Sequence, residues 1–182
     1  MTALNGIKVL DLTRALAGPY CTLMLGDHGA EITKVEIPGR GDDTRQWGPP
    51  YINDQSSYFL SINRNKRSIT LDLKKPEGRE VFMQLAKCSD VVTENFTPGV
   101  VKRLGIGYSD IKPVNPGLVY CSISGFGQTG PYKERPAYDQ MMQGLGGIMS
   151  LTGDPEGVPQ KTGIALTDIG AGMLAAFAIT TA

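Results

Sequence analysis

Two short strands with one helix between them, all within the first 36 residues, constrain the fold of this chain most strongly. Ile7–Leu12 (IKVLDL) is a mainly apolar run, and Glu31–Glu36 (EITKVE) alternates apolar and polar side chains. A small-residue turn at Ala17–Pro19 and a helix over Tyr20–His28, ended by Gly29, are predicted between them. Strands joined by a helix pair in parallel within one sheet, so the order indicates an α/β fold with a parallel sheet.

The rest of the chain continues this alternation. Further strands are predicted at Ser68–Leu73, Asp90–Glu94 and Leu118–Ser124. Helices are predicted over Pro76–Lys87, over Pro98–Leu104, from Tyr138 toward Gly144, and from Thr167 to the end. Residues 38–57 and 125–137 are rich in glycine, proline and polar side chains, and both segments are predicted to be loops.

Charge and cysteine content exclude several functional classes. Eighteen basic residues balance eighteen acidic ones in 182 residues, so neither nucleic acid nor a membrane is expected as a partner. The apolar runs are too short to cross a bilayer, and no signal peptide is evident. Cys21, Cys88 and Cys121 form neither a CxxC pair nor a zinc pattern, so reduced thiols, a cytoplasmic location and no metal site are expected.

The single histidine, His28, limits the catalytic chemistry that is available. A metal site with several histidines is impossible within the chain, and a Ser–His or Cys–His pair would have to use His28. Asp42 and Asp43 are adjacent acids that are expected in a solvated turn. The basic run 63–67 (NRNKR) is expected to be solvated or to meet phosphates.

The segment GFGQTG at residues 125–130 matches the GxGxxG spacing of dinucleotide-binding loops and follows a predicted strand. Pro131 and Pro136 prevent a helix from opening there, so no helix N-terminus can receive a pyrophosphate. A flexible glycine loop beside a site is favoured instead.

Asp168 is the one carboxylate in the otherwise apolar or small segment IALTDIGAGM. Thr167 or Asp168 would suit the N-cap of the last helix, where a carboxylate also complements the helix dipole. A lone carboxylate in this setting also suits a nucleophile. The local pattern alone favours the structural role.

Seven stretches, in order along the chain, resemble the class III CoA-transferase (CaiB/BaiF) family. They are LNGIKVLDLTRALAGPY, GDHGAEITKVE, GDDTR, NRNKRSITLDLKKPEG, VTENFTPG followed by RLG, ISGFGQTGP and ALTDIGAGM. The resemblance implies that residues 1–182 form the N-terminal part of a large Rossmann-like domain with an open, mostly parallel sheet. The family's smaller domain and the remainder would lie outside this chain, and two subunits would interlock as a homodimer.

The resemblance also implies that Asp168 is the catalytic nucleophile, with a capping role beside it. In the family's mechanism the carboxylate attacks an acyl-CoA thioester to give an aspartyl anhydride, and CoA then forms an aspartyl-CoA thioester. Both nucleophiles are anions, so no histidine base is required. CoA is therefore a substrate and no permanently bound cofactor is implied. By similarity, the CoA contacts fall at Ala15, Leu71, Asp72, Leu73, Lys74, Asn95, Phe96 and Arg103.

Two positions depart from the formyl-CoA transferases of this family. Ile37 stands where those enzymes carry an arginine, for which Arg40 is a candidate replacement, and Leu16 stands where they carry a glutamine. Small dianions need polar partners, so these positions argue against oxalate and formate as substrates. The segments LTRALAGP, GDDTRQWGPP and GFGQTGP resemble members that move CoA between dicarboxylic acids, and such substrates are favoured.

Two alternatives remain at this point. The family includes α-methylacyl-CoA racemases, which use a His–Asp pair, but their histidine position holds Tyr138, whose phenol is a poor acid–base replacement. The second alternative is a truncated, non-catalytic CoA-binding fragment. The neighbouring acid Asp139 is expected to be structural.

Overall fold

The computed structural model describes residues 2–182. Its strands are β1 (Lys8–Asp11), β2 (Glu31–Glu36), β3 (Tyr51–Ile52), β4 (Gln55–Ser56), β5 (Lys66–Thr70), β6 (Val91–Glu94) and β7 (Val119–Ser122). Its α-helices are α1 (Ala17–Asp27), α2 (Ser57–Ile62), α3 (Pro76–Lys87), α4 (Val100–Leu104), α5 (Tyr108–Ile111), α6 (Asp139–Leu145) and α7 (Leu166–Thr181). Short 3₁₀ helices occur at Asp43–Gln46 and Ile148–Leu151.

Five strands form one parallel sheet in the order β5-β2-β1-β6-β7. The chain builds outward from β1 through β2 to β5, and then returns to the other side of β1 with β6 and β7. This is the order of the first five strands of a Rossmann fold, so the predicted α/β class is confirmed. In such sheets a ligand binds beyond the carboxyl ends of the strands where the order reverses, which here is between β1 and β6.

Helices cover both faces of the sheet and bury one apolar cluster on each. On one face the cluster comprises Leu10, Leu12, Val35, Phe82, Ala86, Val92, Ile106, Ile111 and Leu118. On the other face α1 and α7 contribute to a cluster of Val9, Cys21, Leu25, Ala30, Ile32, Val91, Ala176 and Ile179. Neighbouring residues of β1 and of β6 therefore face opposite clusters, as expected for strands buried on both faces.

Several predicted boundaries needed correction. The segment Ala17–Pro19, predicted as a turn, is the first turn of α1, because proline fits there without needing an N–H. Strand β5 ends at Thr70 rather than Leu73, since Leu71–Lys74 leaves the sheet. The predicted loop 38–57 contains a 3₁₀ helix and the β3–β4 hairpin.

Among the remaining segments, some have the structure predicted from the sequence and others were not predicted. The loop at 125–137 and the helix Pro76–Lys87 are confirmed. The short helices α2 and α5 were not predicted, because four to six residues carry too little periodicity. Within residues 2–182, no helix is both long enough and apolar enough to cross a membrane.

Candidate active site

A cleft of about 600 Å³ opens at the carboxyl ends of β1, β2, β5 and β6. Its lining comes from the turns that follow these strands and from α4. Six of the eight predicted CoA-binding residues line it, namely Leu71, Asp72, Leu73, Lys74, Phe96 and Arg103. Residues far apart in sequence are thus brought together at the position where this fold class binds ligands.

The cleft combines an apolar surface with cationic side chains. Leucine, valine and phenylalanine side chains supply the apolar part, and Arg14, Lys74 and Arg103 supply positive charge. Asp72 uses one carboxylate oxygen to accept a hydrogen bond from the Lys74 N–H at 3.1 Å, and so shapes its own turn. This composition suits a ligand with both an apolar chain and phosphate groups.

The turn between β1 and α1 is fixed by Asn95, which follows β6. The Arg14 N–H donates to the Asn95 side-chain oxygen at 2.8 Å, and the Asn95 amide donates to the Arg14 carbonyl at 2.7 Å. The Arg14 guanidinium lies 5.0 Å from the centre of the Phe96 ring. Asn95 and Ala15 do not line the cleft themselves, and Ala15 takes a left-handed φ of 62° in this turn. Arg14 was missed because nothing in its local pattern points to a cleft.

Two buried ion pairs lie beneath the same turn. Lys34 contacts Asp42 at 2.8 Å and donates to the Thr13 carbonyl at 2.7 Å. Lys66 contacts Asp11 at 3.2 Å. All four charged side chains are almost completely buried. The expectations of a solvated turn at Asp42 and a solvated or phosphate-binding Lys66 are therefore wrong, because each side chain has a buried partner of opposite charge.

In each residue of the Lys66–Asp11 pair, burial and the charge of the partner have opposing effects on the pKa. Burial favours the neutral form of Asp11, but the charges of Lys66 and Lys34, together with hydrogen bonds from two threonines, outweigh it and lower the pKa of that carboxyl. Burial lowers the pKa of Lys66 to about 8, although Asp11 opposes the shift. The network holds the strand end, the turn and α1 together, since Lys66 also donates to the Pro19 carbonyl at 2.9 Å.

Glu36, at the end of β2, connects the cleft to α2. Its carboxylate accepts two hydrogen bonds from Arg45, at 2.7 and 2.6 Å, and one from the Asp42 N–H at 2.7 Å. The Arg45 guanidinium lies 3.8 Å from the centre of the Phe59 ring in α2. Burial opposes ionisation of Glu36, but hydrogen bonds from Arg45 and Ser68 lower its pKa to about 2.

Asp168 is the third residue of α7, which begins at Leu166 with Ala165 as its N-cap. The predicted N-cap role of Asp168 or Thr167 is therefore wrong. The helix start is capped from α6 instead, where the Asp139 carboxylate accepts hydrogen bonds from the Thr167 N–H at 2.8 Å and from the Thr167 hydroxyl at 2.7 Å. Asp139 thus has a structural role, as the sequence indicated.

The surroundings of Asp168 make its carboxyl more basic. The side chain is half-buried, and burial together with the Asp139 charge raises its pKa. Tyr58 of α2 is also half-buried, and burial followed by the charges of Asp168 and Asp42 raises the pKa of its phenol. Tyr58 was missed by the sequence analysis, because only the tertiary fold brings α2 toward α7. Asp168 does not line the 600 Å³ cleft.

The two residues tied to the racemase alternative, Tyr138 and His28, both lie at helix ends. Tyr138 is the N-cap of α6 and is 71% exposed. His28 caps the C-terminal end of α1, whereas α7 approaches the N-terminal end of α1 at Ala17. Ile37 lines the cleft, and Arg40 is paired with Asp43 at 2.5 Å on the surface. No cluster of three or more potential metal ligands is found in residues 2–182.

The chain matches the family model described as CoA-transferase family III over residues 4–182. It is 50% identical to the mouse (Mus musculus) succinyl-CoA:glutarate CoA-transferase, a match that covers 98% of this chain and 41% of that protein. It is 48% identical to the acetyl-CoA:oxalate CoA-transferase of Acetobacter aceti, over 93% of this chain and 43% of that protein.

Solved structures agree with the sequence matches. A CaiB/BaiF family protein from Brucella suis superimposes with a TM-score of 0.96 at 50% identity, covering 99% of this chain and 48% of that one. The chain spans less than half the length of each of these three proteins. The family match, the parallel sheet order and the cleft lined by the predicted residues agree, and the chain belongs to CoA-transferase family III.

Proposed function

We propose that the full-length protein containing this chain moves CoA from an acyl-CoA to a free carboxylic acid, with Asp168 as the nucleophile. One observation carries the proposal. The β1–α1 turn borders the cleft through Arg14 and leads directly into Ala17, the first residue of α1, where α1 contacts α7, the helix of Asp168. A CoA molecule held in the cleft can therefore direct its thioester along this turn toward the carboxylate.

The reaction begins when an Asp168 carboxylate oxygen attacks the thioester carbon. The C–S bond breaks, CoA leaves as a thiolate, and a mixed aspartyl anhydride remains. The thiolate then attacks the aspartyl carbonyl, the donor acid leaves as its carboxylate, and an aspartyl-CoA thioester remains. The acceptor carboxylate reverses both steps and regenerates Asp168. The raised pKa of Asp168 supports this role, because a more basic carboxylate is a stronger nucleophile.

The cleft supports binding of CoA as a substrate. Lys74 and Arg103 line the cleft and can pair with its phosphates, while Leu71, Leu73 and Phe96 offer apolar surface. Asn95, Ala15 and Asp72 act mainly by shaping the turns that carry these groups. No permanently bound cofactor enters this mechanism.

We further propose that the exchanged acids are dicarboxylic acids of the succinate and glutarate class. The apolar Leu16 and Ile37 do not offer the polar partners that a small dianion requires. The name of the mouse relative fits this class of acids. Transfer from succinyl-CoA to glutarate, compared with transfer to oxalate, the acid named for the Acetobacter relative, tests this preference, and equal rates would overturn it.

The test is intact mass spectrometry of the full-length protein after incubation with succinyl-CoA and quenching with hydroxylamine. We expect a CoA adduct, and a hydroxamate at Asp168 after quenching. Asp168→Asn should form no adduct while still binding CoA, whereas the exposed Asp154→Asn should behave like the parent protein. An intact protein that forms no adduct, but exchanges an α-proton of a methyl-branched acyl-CoA with solvent, would support a racemase instead.

We propose that residues 1–182 form the N-terminal part of the family's large domain and that the full-length protein is a homodimer. Two large apolar side chains of α7 are exposed, Leu174 at 71% and Phe177 at 68%. Their exposure supports the proposal that the rest of the domain or a second subunit covers this helix. Light scattering of the full-length protein tests the dimer. We place the protein in the cytoplasm, where its three unpaired cysteines would stay reduced, and cell fractionation tests this location.

A further inference from the structure

We propose that Gly172 is a positioning residue that sets the separation between the Asp168 carboxylate and the β1–α1 turn. The inference rests on the proposed function of Asp168. In this role Gly172 controls the geometry of the reaction and not the affinity for CoA.

The two helices touch backbone to backbone at Gly172. A Cβ atom at this position would lie 2.6 Å from the Ala17 carbonyl oxygen, 3.2 Å from the Cys21 nitrogen and 3.3 Å from the Tyr20 Cβ. The first of these distances is well below any ordinary contact, and a backbone carbonyl in a helix cannot rotate away. Any side chain at position 172 must therefore push the helices apart.

Asp168 lies on the same side of α7 as this contact. Residues four apart in an α-helix occupy one face, so Asp168 is one turn before Gly172 above α1. Ala17 is the first residue of α1, and the turn before it carries Arg14 into the cleft. A shift of α7 at Gly172 thus moves the carboxylate relative to the turn that borders the CoA cleft.

Both helices are held, so a shift cannot be absorbed elsewhere without cost. On the α1 side, Thr22 donates to Asp11 at 2.6 Å and Lys66 donates to the Pro19 carbonyl. On the α7 side, Asp139 caps the helix start. A Cβ added at Gly172 would have to displace α7 against these contacts.

Gly170 supplies a matched control within the same helix. A Cβ at Gly170 would meet nothing within 4 Å, whereas a Cβ at Gly172 meets α1. Both substitutions to alanine raise intrinsic helix propensity equally. They differ only in the contact with α1, so the pair separates helix propensity from helix crossing.

The experiment compares Gly172→Ala and Gly170→Ala in the full-length protein. It measures the rate of adduct formation at saturating succinyl-CoA and the dissociation constant of CoA by calorimetry. We expect Gly172→Ala to lose about tenfold or more in rate with CoA affinity within about twofold, because displacement of a reacting group by 1 Å can cost two orders of magnitude. Gly170→Ala should match the parent in both quantities.

Rescue provides a readout that a purely structural role would not change. Glutamate extends the carboxylate by one methylene, so Asp168→Glu added to Gly172→Ala should recover part of the lost rate. Should Gly172→Ala fail to fold, Ala176→Val enlarges the next turn of the same buried face and should slow the adduct step to a smaller extent.

The possible outcomes separate this inference from the proposed function. Equal rates in Gly172→Ala and the parent, or a parallel loss of CoA affinity, would overturn the positioning role. So would an unchanged rate in Ala176→Val. If the parent protein itself forms no adduct, the proposed function fails first.

Discussion

The Asp139 carboxylate lies against the backbone of Asp168 and accepts a hydrogen bond from its N–H at 3.4 Å. Asp139 therefore does two things at once. It caps the helix that carries Asp168, and its negative charge raises the pKa of the Asp168 carboxyl, after the larger effect of burial. The two effects can be separated, because asparagine keeps an acceptor for the cap and removes the charge.

We predict that Asp139→Asn shifts the acidic limb of the pH–rate profile for adduct formation to lower pH. The nucleophile must be ionised, and removal of the neighbouring charge lowers the pKa of Asp168, so ionisation persists to lower pH. Asp139→Ala should in addition lose the cap and cost about 0.5–2 kcal/mol of stability. An unchanged acidic limb in Asp139→Asn would contradict the electrostatic role of Asp139.

Because the Lys66–Asp11 pair is buried and the ion pair of Arg67 is exposed, we predict that loss of Lys66 costs much more stability than loss of Arg67. Lys66→Met leaves Asp11 buried without its closest cation, so we expect a loss of about 3–5 kcal/mol in the free energy of unfolding. Arg67→Met removes a pair whose side chains are 75% and 50% exposed, and should cost less than about 1 kcal/mol. Urea unfolding measures both, and equal losses would argue against the buried network.

Glu36 predicts a specific dependence of stability on pH. Its pKa is about 2 in the folded protein, below the ordinary value of 4.5, so its contribution is fully present above pH 4.5. That contribution is lost as the pH falls from 4.5 toward 2. Glu36→Gln should therefore flatten the fall in stability over this interval, as measured by urea unfolding at a series of pH values. A slope equal to that of the parent would contradict the ion pair with Arg45.

We predict that replacing Arg103 weakens binding only of ligands that carry phosphate groups. Charge-assisted hydrogen bonds contribute about 1.5–3 kcal/mol, so Arg103→Met should weaken CoA binding about tenfold or more. Binding of pantetheine, which lacks the phosphates, should not change. Lys102→Met is the matched control, because the neighbouring Lys102 does not line the cleft. Calorimetry with both ligands decides the question, and equal weakening by the two variants would remove Arg103 from the phosphate site.

Local sequence patterns were sufficient to predict the alternation of strands and helices, and hence the parallel sheet. The β-branched residues of Val91–Glu94 and the helix start signal at Pro76 are local patterns, and local patterns are sufficient for elements of this kind. The prediction of Asp168 as the nucleophile, and of the CoA-binding residues, rested on the resemblance of several ordered motifs to one family and not on any single residue.

Roles that depend on contacts between residues distant in sequence became visible only in the three-dimensional fold. Lys66 and Asp42 look like surface charges locally, but the fold buries each beside an opposite charge. Asp139 belongs to α6, yet it caps the start of α7 in place of a residue that is local in sequence. Gly172 allows α7 to approach the carbonyl of Ala17. Charge pairing, capping and close approach are set by three-dimensional packing, so a linear pattern cannot specify them.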